Sequence, residues 1–211
     1  FIKKNYEHRY RLIEKQAAKY PGGKMLEVGC GAGWELLHWA RCGMKPTGLD
    51  LSAAALELAQ KNFEHNKLEA EFKHGSAEEL PFDDNTFEIV ASLGVLHQTE
   101  STQRAVSEVY RVVKPGGEAV ITLYYKYSWK ILLTKFGKVN FEFAHEDAPI
   151  TRLYDKKNLR ELFSAFKEVN IFLDYIKATK SPRKVLLAGM FNIVFVPFYN
   201  LVPTFIRQHL G

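Results

Sequence analysis

The sequence predicts an α/β protein built on one doubly wound, mainly parallel sheet with helices on both faces. Three observations carry that expectation. Short apolar strands alternate with helical stretches from about residue 24 to residue 125. A glycine-rich turn, with Gly29, Gly31 and Gly33 at alternate positions, follows the first strand directly. The 211 residues are 46% hydrophobic and 25% charged, which suits one domain with a sizeable core better than two small ones.

The elements follow in order. Phe1 to Tyr20 is charged, Tyr-rich and helical in character, and it closes at the Pro21-Gly22-Gly23 break. Lys24 to Val28 reads as a short buried strand, Trp34 to Arg41 as a helix and Pro46 to Leu49 as the next strand. Ser52 is a good N-cap for a helix that puts Leu56, Ala59 and Phe63 on one face. Ala70 to Lys73 and Phe87 to Ser92 supply two more strands. The helix expected over Thr102 to Val113 has Ala105, Val106, Val109 and Val113 at core spacing, with Arg104 and Glu108 facing each other outside. Pro115-Gly116-Gly117 stops it, and Glu118 to Tyr125 is an apolar strand. Beyond Lys126 the alternation fades. Lys126 to Ile150 is aromatic and basic and reads as a cap; Asp155 to Phe166 is a helix with Leu159, Leu162 and Phe163 on its buried side; Val169 to Leu173 is a further strand. The expected organisation is a lid helix over 1–22, a ligand-binding core over 23–125, and a cap with an apolar C-terminal segment over 126–211, all in one domain.

Charge and cysteines narrow the function classes. The net charge of +5 is spread along the chain without a basic tract, so a nucleic-acid partner is not expected. Cys30 and Cys42 form neither a CxxC pair nor a disulfide framework, which fits a reducing, cytoplasmic setting. No secretory signal opens the sequence and no Cys/His cluster has metal-ligand spacing, so no metal is expected. The first residue is Phe and the last a bare Gly211, so the chain reads as trimmed at one or both ends.

In such a sheet, ligands bind beyond the carboxyl ends of the strands. The sharpest signal lies there, in Leu26-Glu27-Val28-Gly29-Cys30-Gly31-Ala32-Gly33. Glycines after a buried strand let the backbone turn tightly and approach a ligand closely. A dinucleotide site wants G-x-G-x-x-G and holds a pyrophosphate at the helix N-terminus. Here bulky Trp34 follows Gly33, and Glu27 at the strand tip would oppose that anion. A carboxylate there suits a ligand with an ammonium group and no phosphate, as in S-adenosylmethionine. Asp50, about twenty residues on at the end of the next strand, is placed to accept hydrogen bonds from ribose hydroxyls; its alternative is a residue of the following helix cap.

Residues Met25 to Tyr125 resemble the class I S-adenosylmethionine-dependent methyltransferase family, in its small-molecule branch. LEVGCGAG is similar to the family's first motif, GLDLS to its second, and HGSAEELPFDDNTFEIV to the stretch around the adenine. SLGVLHQ resembles the fourth-strand motif and VYRVVKPGGEAVIT the motif before the fifth strand. The resemblance implies a Rossmann-like core and S-adenosylmethionine as cofactor, with S-adenosylhomocysteine as product. By position it implies Glu27, Gly29, Cys30, Gly31 and Gly33 at the cofactor's amino-acid end, with no catalytic role for Cys30. It implies Asp50 at the ribose, Leu51 against the adenine, and Ser76, Ala77 and Glu78 in the adenine pocket. Leu93 and Gly94 would flank the methyl donor. The sequence departs from the pattern at Glu88, where Asp is usual, and at Gln98, where a second His is common. The family's last strand is not recognisable before Gly211.

The acceptor is not legible. His97, after the fourth strand, is the candidate general base, and its alternative is a loop histidine that shapes the pocket or caps the next helix. His145, with Glu146 and Asp147, is either a substrate contact in the cap or solvated. Arg152 and Tyr154 offer an anion contact or an ordinary cap contact. Tyr6 and Tyr10 either close over the cofactor or pack the first helix. Residues 185–206 contain no charge and are long enough to span a bilayer, but Gly189, Asn192, Pro197, Asn200 and Pro203 interrupt a helix there. A substrate cap or subunit contact leads a peripheral membrane surface, and a true span comes last. The expected partner is a small-molecule acceptor; the oligomeric state is not legible. A non-catalytic cofactor-binding protein of the same fold is the rival reading, and a dinucleotide oxidoreductase stands third.

Overall fold

The computed structural model describes residues 7–128 and 151–171, with side chains from residue 9 onward. Helix α1 spans Glu7–Ala17, followed by β1 Lys24–Val28, α2 Trp34–Arg41, β2 Lys45–Asp50, α3 Ala53–Asn66, β3 Glu71–His74 and β4 Phe87–Leu93. A 3-10 turn at Leu96–Gln98 leads into α4 Thr102–Val112 and β5 Val113–Thr122; the two-residue strands β6 Tyr124–Tyr125 and β7 Leu153–Tyr154 and the short α5 Lys156–Leu162 complete the elements. The chain divides into two compact units, 1–124 with 143–169, and 125–142 with 170–211. Of the second, only 125–128 and 170–171 are among the described residues.

The first unit holds the sheet. Its order is β3-β2-β1-β4-β5, and every pair is parallel. The chain runs outward from β1 through β2 to β3, then crosses back to β4 on the other side of β1. The loops after β1 and β4 therefore leave in opposite directions, and the crevice between them is where such sheets take ligands. Alternation along the strands feeds a core on each face. Met25 and Ile89 join Ile13, Leu36, Leu37, Trp39 and Phe63 under α1, α2 and α3. Leu26, Val28 and Val90 join Ala105, Val106, Val109 and Val112 of α4. Each fully buried apolar side chain of this kind stabilises by roughly 1.5–3 kcal/mol. Close packing also explains Gly48, opposite Glu27 in the ladder: a Cβ there would meet Cys30 Sγ at 2.8 Å and Leu36 Cδ2 at 2.9 Å.

Ser52 and Ser101 cap α3 and α4 through their hydroxyls, to the amides of Ala55 and Arg104. Asp155 caps α5 through the Asn158 amide at 2.9 Å. Four sequence expectations need correction. Arg104 does not pair with Glu108; it lies 3.9 Å from Glu78, while Glu108 is held by Arg111. The better-placed Arg111 fork takes both Glu108 oxygens. The fifth strand begins at Val113 rather than Glu118, because Phe87 pairs with Val113 and Ile89 with Glu118, leaving Pro115-Gly116-Gly117 as an irregularity inside the ladder. The helix from Asp155 ends at Leu162, although Leu162, Phe163 and Phe166 still pack on the core. Residues 169–171 form no strand; the rest of that expected strand lies outside the described residues. So do Tyr6, His145, Glu146, Asp147 and the 185–206 segment.

Candidate cofactor site

Glu27 is the fourth residue of β1, followed by the buried Val28 and flanked in the sheet by Gly48 and Ala91. It is only 3% exposed, and its Oε2 has no hydrogen-bond partner. Burial pushes its carboxyl well above the usual glutamate range; Glu35 adds to that push, Arg9 opposes it and Asp50 adds a little more. An unpartnered buried carboxylate is costly, and such groups mark places built for a partner.

The loop that follows is shaped by left-handed backbone. Gly29 has φ 76°, and a Cβ on it would lie 2.3 Å from Val95 Cγ2, so the β1 and β4 loops touch here only because the residue is glycine. Gly31, at φ 52°, has nothing within 4 Å of its Cβ position, so the loop is open on that side. The loop's own donors are largely committed. Gly29 and Cys30 donate to the Leu49 carbonyl, Gly33 donates to that of Cys30, and Gly31 donates to Asp50 Oδ2 at 2.8 Å. Asn62, on α3, holds the Ala32 carbonyl at 2.8 Å. Cys30 is buried, and burial first, then Glu27 and Asp50, push its thiol up to about 12, which leaves it inert at neutral pH.

Asp50 is half-buried at the end of β2, and its second oxygen accepts from the Ser52 amide at 2.9 Å. Both readings of this residue are thus compatible: it organises the loop and the next helix, and each oxygen keeps a lone pair for a hydroxyl. Leu51 beside it is 72% exposed, a bare apolar surface at the mouth of the crevice. In the loop after β3, Ala77 is buried, and Ser76 Oγ accepts from the Glu78 amide at 3.1 Å. The Glu78 carboxylate is engaged by the Ser101 amide at 2.9 Å, so it ties this loop to the start of α4. Arg111 fixes the far end, donating to the carbonyls of Leu80 and Phe82 and to Asp84 and Glu108.

At the end of β4, buried Ser92 donates to the Val28 carbonyl at 3.0 Å, joining the strands next to the crevice. Leu93 is half-buried, and Gly94 at φ 91° turns the chain away. His97 is completely buried with neither ring nitrogen hydrogen-bonded, under the ring of Tyr124 at 4.2 Å. Burial lowers its pKa to about 4, so it is neutral at physiological pH. Arg152 donates through its guanidinium to the carbonyls of Thr99 and Glu100 and through its amide to that of His97, which makes it the tether of this loop. Tyr154 is buried. Tyr10 packs its ring on His38 at 4.3 Å. Glu88, the departure from the family pattern, accepts from the Lys24 amide and from Lys114; burial resists its ionisation, but these donors hold its carboxyl below the usual range. Among the described residues no His/Cys/Asp/Glu group is arranged to hold a metal ion.

Sequence reasoning missed Arg9, Glu35, Asn62, Ser92 and Tyr124. Glu35, in the first turn after the glycine loop, was the legible one, since an acid there meets the positive end of a helix. The other four act through tertiary contacts that no local pattern announces.

These features define a doubly wound sheet whose crevice beyond β1 ends at a buried carboxyl group. Residues 26–121 match the family described as Methyltransferase domain. The chain is 31% identical over 162 residues to a demethylmenaquinone methyltransferase of Bacillus cereus, covering 68% of this chain and 68% of that protein. It is 38% identical over 104 residues to phthiotriol/phenolphthiotriol dimycocerosates methyltransferase 1 of Mycobacterium ulcerans, covering 48% of this chain and 37% of that protein. Among solved structures, the YcgJ protein of Bacillus subtilis matches with a TM-score of 0.64 at 25% identity, over 75% of this chain and 67% of that one. The chain belongs to the class I S-adenosylmethionine-dependent methyltransferase family, whose cofactor is S-adenosylmethionine. It spans about half or less of the length of several curated relatives it matches. The residues fit that cofactor: a buried oxygen of Glu27 has no hydrogen-bond partner, and the glycine loop is open at Gly31.

Proposed function

We propose that this protein transfers the methyl group of S-adenosylmethionine to an O, N or C atom of a small-molecule acceptor by in-line displacement, releasing S-adenosylhomocysteine. The observation that carries this reading is Glu27, a buried carboxylate with an unpartnered oxygen beside a glycine loop. Its charge opposes a pyrophosphate and suits the ammonium of an amino-acid end. When bound, the cofactor supplies a methyl group already activated by a sulfonium. Gly29, Cys30, Gly31 and Gly33 shape the wall around the amino-acid end, and Asp50 holds the ribose hydroxyls. Leu51 covers one face of the adenine, with Ser76, Ala77 and Glu78 around it. Leu93 and Gly94 flank the methyl group. The chain's remaining task is to orient the acceptor, and alignment alone can supply about 7–11 kcal/mol of the barrier. His97 is not in position to take a proton from an acceptor while its ring stays fully buried under Tyr124. Its role is to shape the loop after β4.

A hydrophobic acceptor is the second reading. It is favoured by relatives named for demethylmenaquinone and for dimycocerosates, and by the charge-free stretch over 185–206. Among the described residues no helix is long and apolar enough to cross a membrane.

The test is calorimetric titration with S-adenosylmethionine and S-adenosylhomocysteine, with Asp50→Ala as control, followed by transfer of labelled methyl to polar and quinone-like acceptors. Micromolar binding lost in Asp50→Ala, with label appearing in an acceptor, supports the enzyme reading. Binding without transfer to any acceptor supports the non-catalytic rival. No binding by the folded chain refutes the assignment.

A further inference from the structure

We propose that Arg152 is a positioning residue for the methyl transfer: by gripping the loop between β4 and α4, it holds two walls of the cofactor crevice in register without touching a reactant. The proposal rests on the cofactor reading above and names what keeps that site aligned. The loop leaves β4 at Gly94, beside the expected methyl group, and ends at Ser101, the cap of α4. Arg152 lies 53 residues beyond Thr99, immediately before β7. Its backbone amide donates to the His97 carbonyl at 3.0 Å. The two terminal nitrogens of its guanidinium donate to the carbonyls of Thr99 and Glu100, the latter at 2.7 Å. Carbonyls at the end of a turn such as Leu96–Gln98 lack the next helical N–H, and a charged donor satisfies them about twice as strongly as a neutral one.

What the loop touches gives this grip its consequence. Near its start, Val95 packs so closely on Gly29 that a Cβ there would lie 2.3 Å from Val95 Cγ2. Gly29 belongs to the wall at the cofactor's amino-acid end. At the loop's other end, the Ser101 amide donates to Glu78 Oε1 at 2.9 Å, and Glu78 belongs to the adenine wall. Between them Leu96 is fully buried, and its carbonyl accepts from the hydroxyls of Thr99 and Thr102, so the loop is braced as one piece. Arg152 is therefore the clamp on a bridge between the two walls. With both terminal nitrogens engaged by carbonyls, it acts on the loop and not as an anion contact.

The experiment is calorimetry on the full chain with S-adenosylhomocysteine and with methylthioadenosine, which keeps the adenine and ribose and lacks the amino-acid end. Each titration is run well below the variant's own Tm, so that every chain is folded. Arg152→Ala should lose about 10-fold in affinity for S-adenosylhomocysteine, as expected for the loss of one charge-assisted hydrogen bond. It should lose less for methylthioadenosine, which meets only the adenine wall. Millimolar guanidinium ion should restore the affinity of Arg152→Ala, where equal methylammonium does not. Arg152→Lys keeps the charge but loses the fork, and should behave like Arg152→Ala. Unchanged affinity for both probes in folded Arg152→Ala overturns the proposal, because the three hydrogen bonds are then structural only. Wild-type affinity in Arg152→Lys overturns it as well, since charge alone would suffice. If Arg152→Ala does not fold, Arg152→Lys carries the test. Failure of the parent chain to bind S-adenosylhomocysteine overturns the cofactor reading itself, a separate outcome.

Discussion

Replacing Glu27 by Gln should stabilise the ligand-free protein and weaken its binding of cofactor. The wild-type side chain is 3% exposed with one oxygen unpartnered. Leaving a buried polar group unsatisfied costs about 1–3 kcal/mol, and a charged one more. Gln keeps the shape and removes the charge, so at pH 8 the variant should gain roughly 1–3 kcal/mol. For a chain of this size each kcal/mol moves Tm by about 2–4 °C. The pH dependence identifies the cause. Burial, with Glu35, raises the folded carboxyl above the usual 4.5. Between 4.5 and that raised value the folded state binds a proton that the unfolded state has released. Stability attributable to Glu27 is therefore full below 4.5 and falls as pH rises, by up to about 1.4 kcal/mol per pH unit. The Gln variant lacks this slope, so the two unfolding curves should coincide near pH 4.5 and diverge upward. Thermal unfolding across pH 4.5–9 measures the difference. Calorimetry at pH 8 should show affinity for S-adenosylhomocysteine reduced by about 10- to 100-fold or more. A variant less stable than wild type at every pH, or one that diverges toward low pH, would refute the picture of an uncompensated buried charge.

The remaining predictions concern the two loops that meet at the crevice. Gly29→Ala forces a Cβ to within 2.3 Å of Val95 at φ 76°, so it should destabilise by about 3 kcal/mol or more in denaturant titration. Adding Val95→Ala should restore part of that loss, and a fully additive double variant would mean the clash is not the cause. His97→Leu removes a ring held neutral with a pKa of about 4, against 6.5 when exposed. Wild-type stability attributable to His97 is lost as pH falls from about 6.5 toward 4, by up to about 3 kcal/mol, because the unfolded state gains the proton first. The Leu variant should keep its stability over that range while matching wild type at pH 8; an unchanged acid midpoint would show that the ring is not the titrating group.

The fold was legible because its signals are local and periodic. The strand positions of β1, β2 and β4 came from apolar runs, the helix faces of α3 and α4 from core spacing, and one cap from Ser52. The errors arose where tertiary contacts override local pattern. Pro115-Gly116-Gly117 looks like a terminator in sequence, yet the Phe87–Val113 pair starts the strand before it. Arg104 and Glu108 have ideal helical spacing, but Arg111 reaches both Glu108 oxygens as well as the loop at 80–84. Glu27 and Asp50 were readable as site residues because strand ends and glycines fix where they sit. What they touch was not. Asp50 spends its hydrogen bonds on Gly31 and Ser52, and Glu27 has a cation from α1 opposing its burial, which no motif in the first helix encodes.

The crevice is assembled from groups that resist one another in the absence of a ligand. Glu27, Glu35 and Asp50 are three acids around one glycine loop, and the other two add to the cost that burial places on ionising Glu27. Arg9, on α1, offsets part of that cost. A cationic amino-acid end would relieve the buried charge directly. Stability and affinity are then set by the same residues with opposite sign, which is the pattern expected where a fold keeps a strained, unsatisfied group for use in binding. The Glu27→Gln variant separates the two quantities, since it should make the protein harder to unfold while weakening its hold on the cofactor.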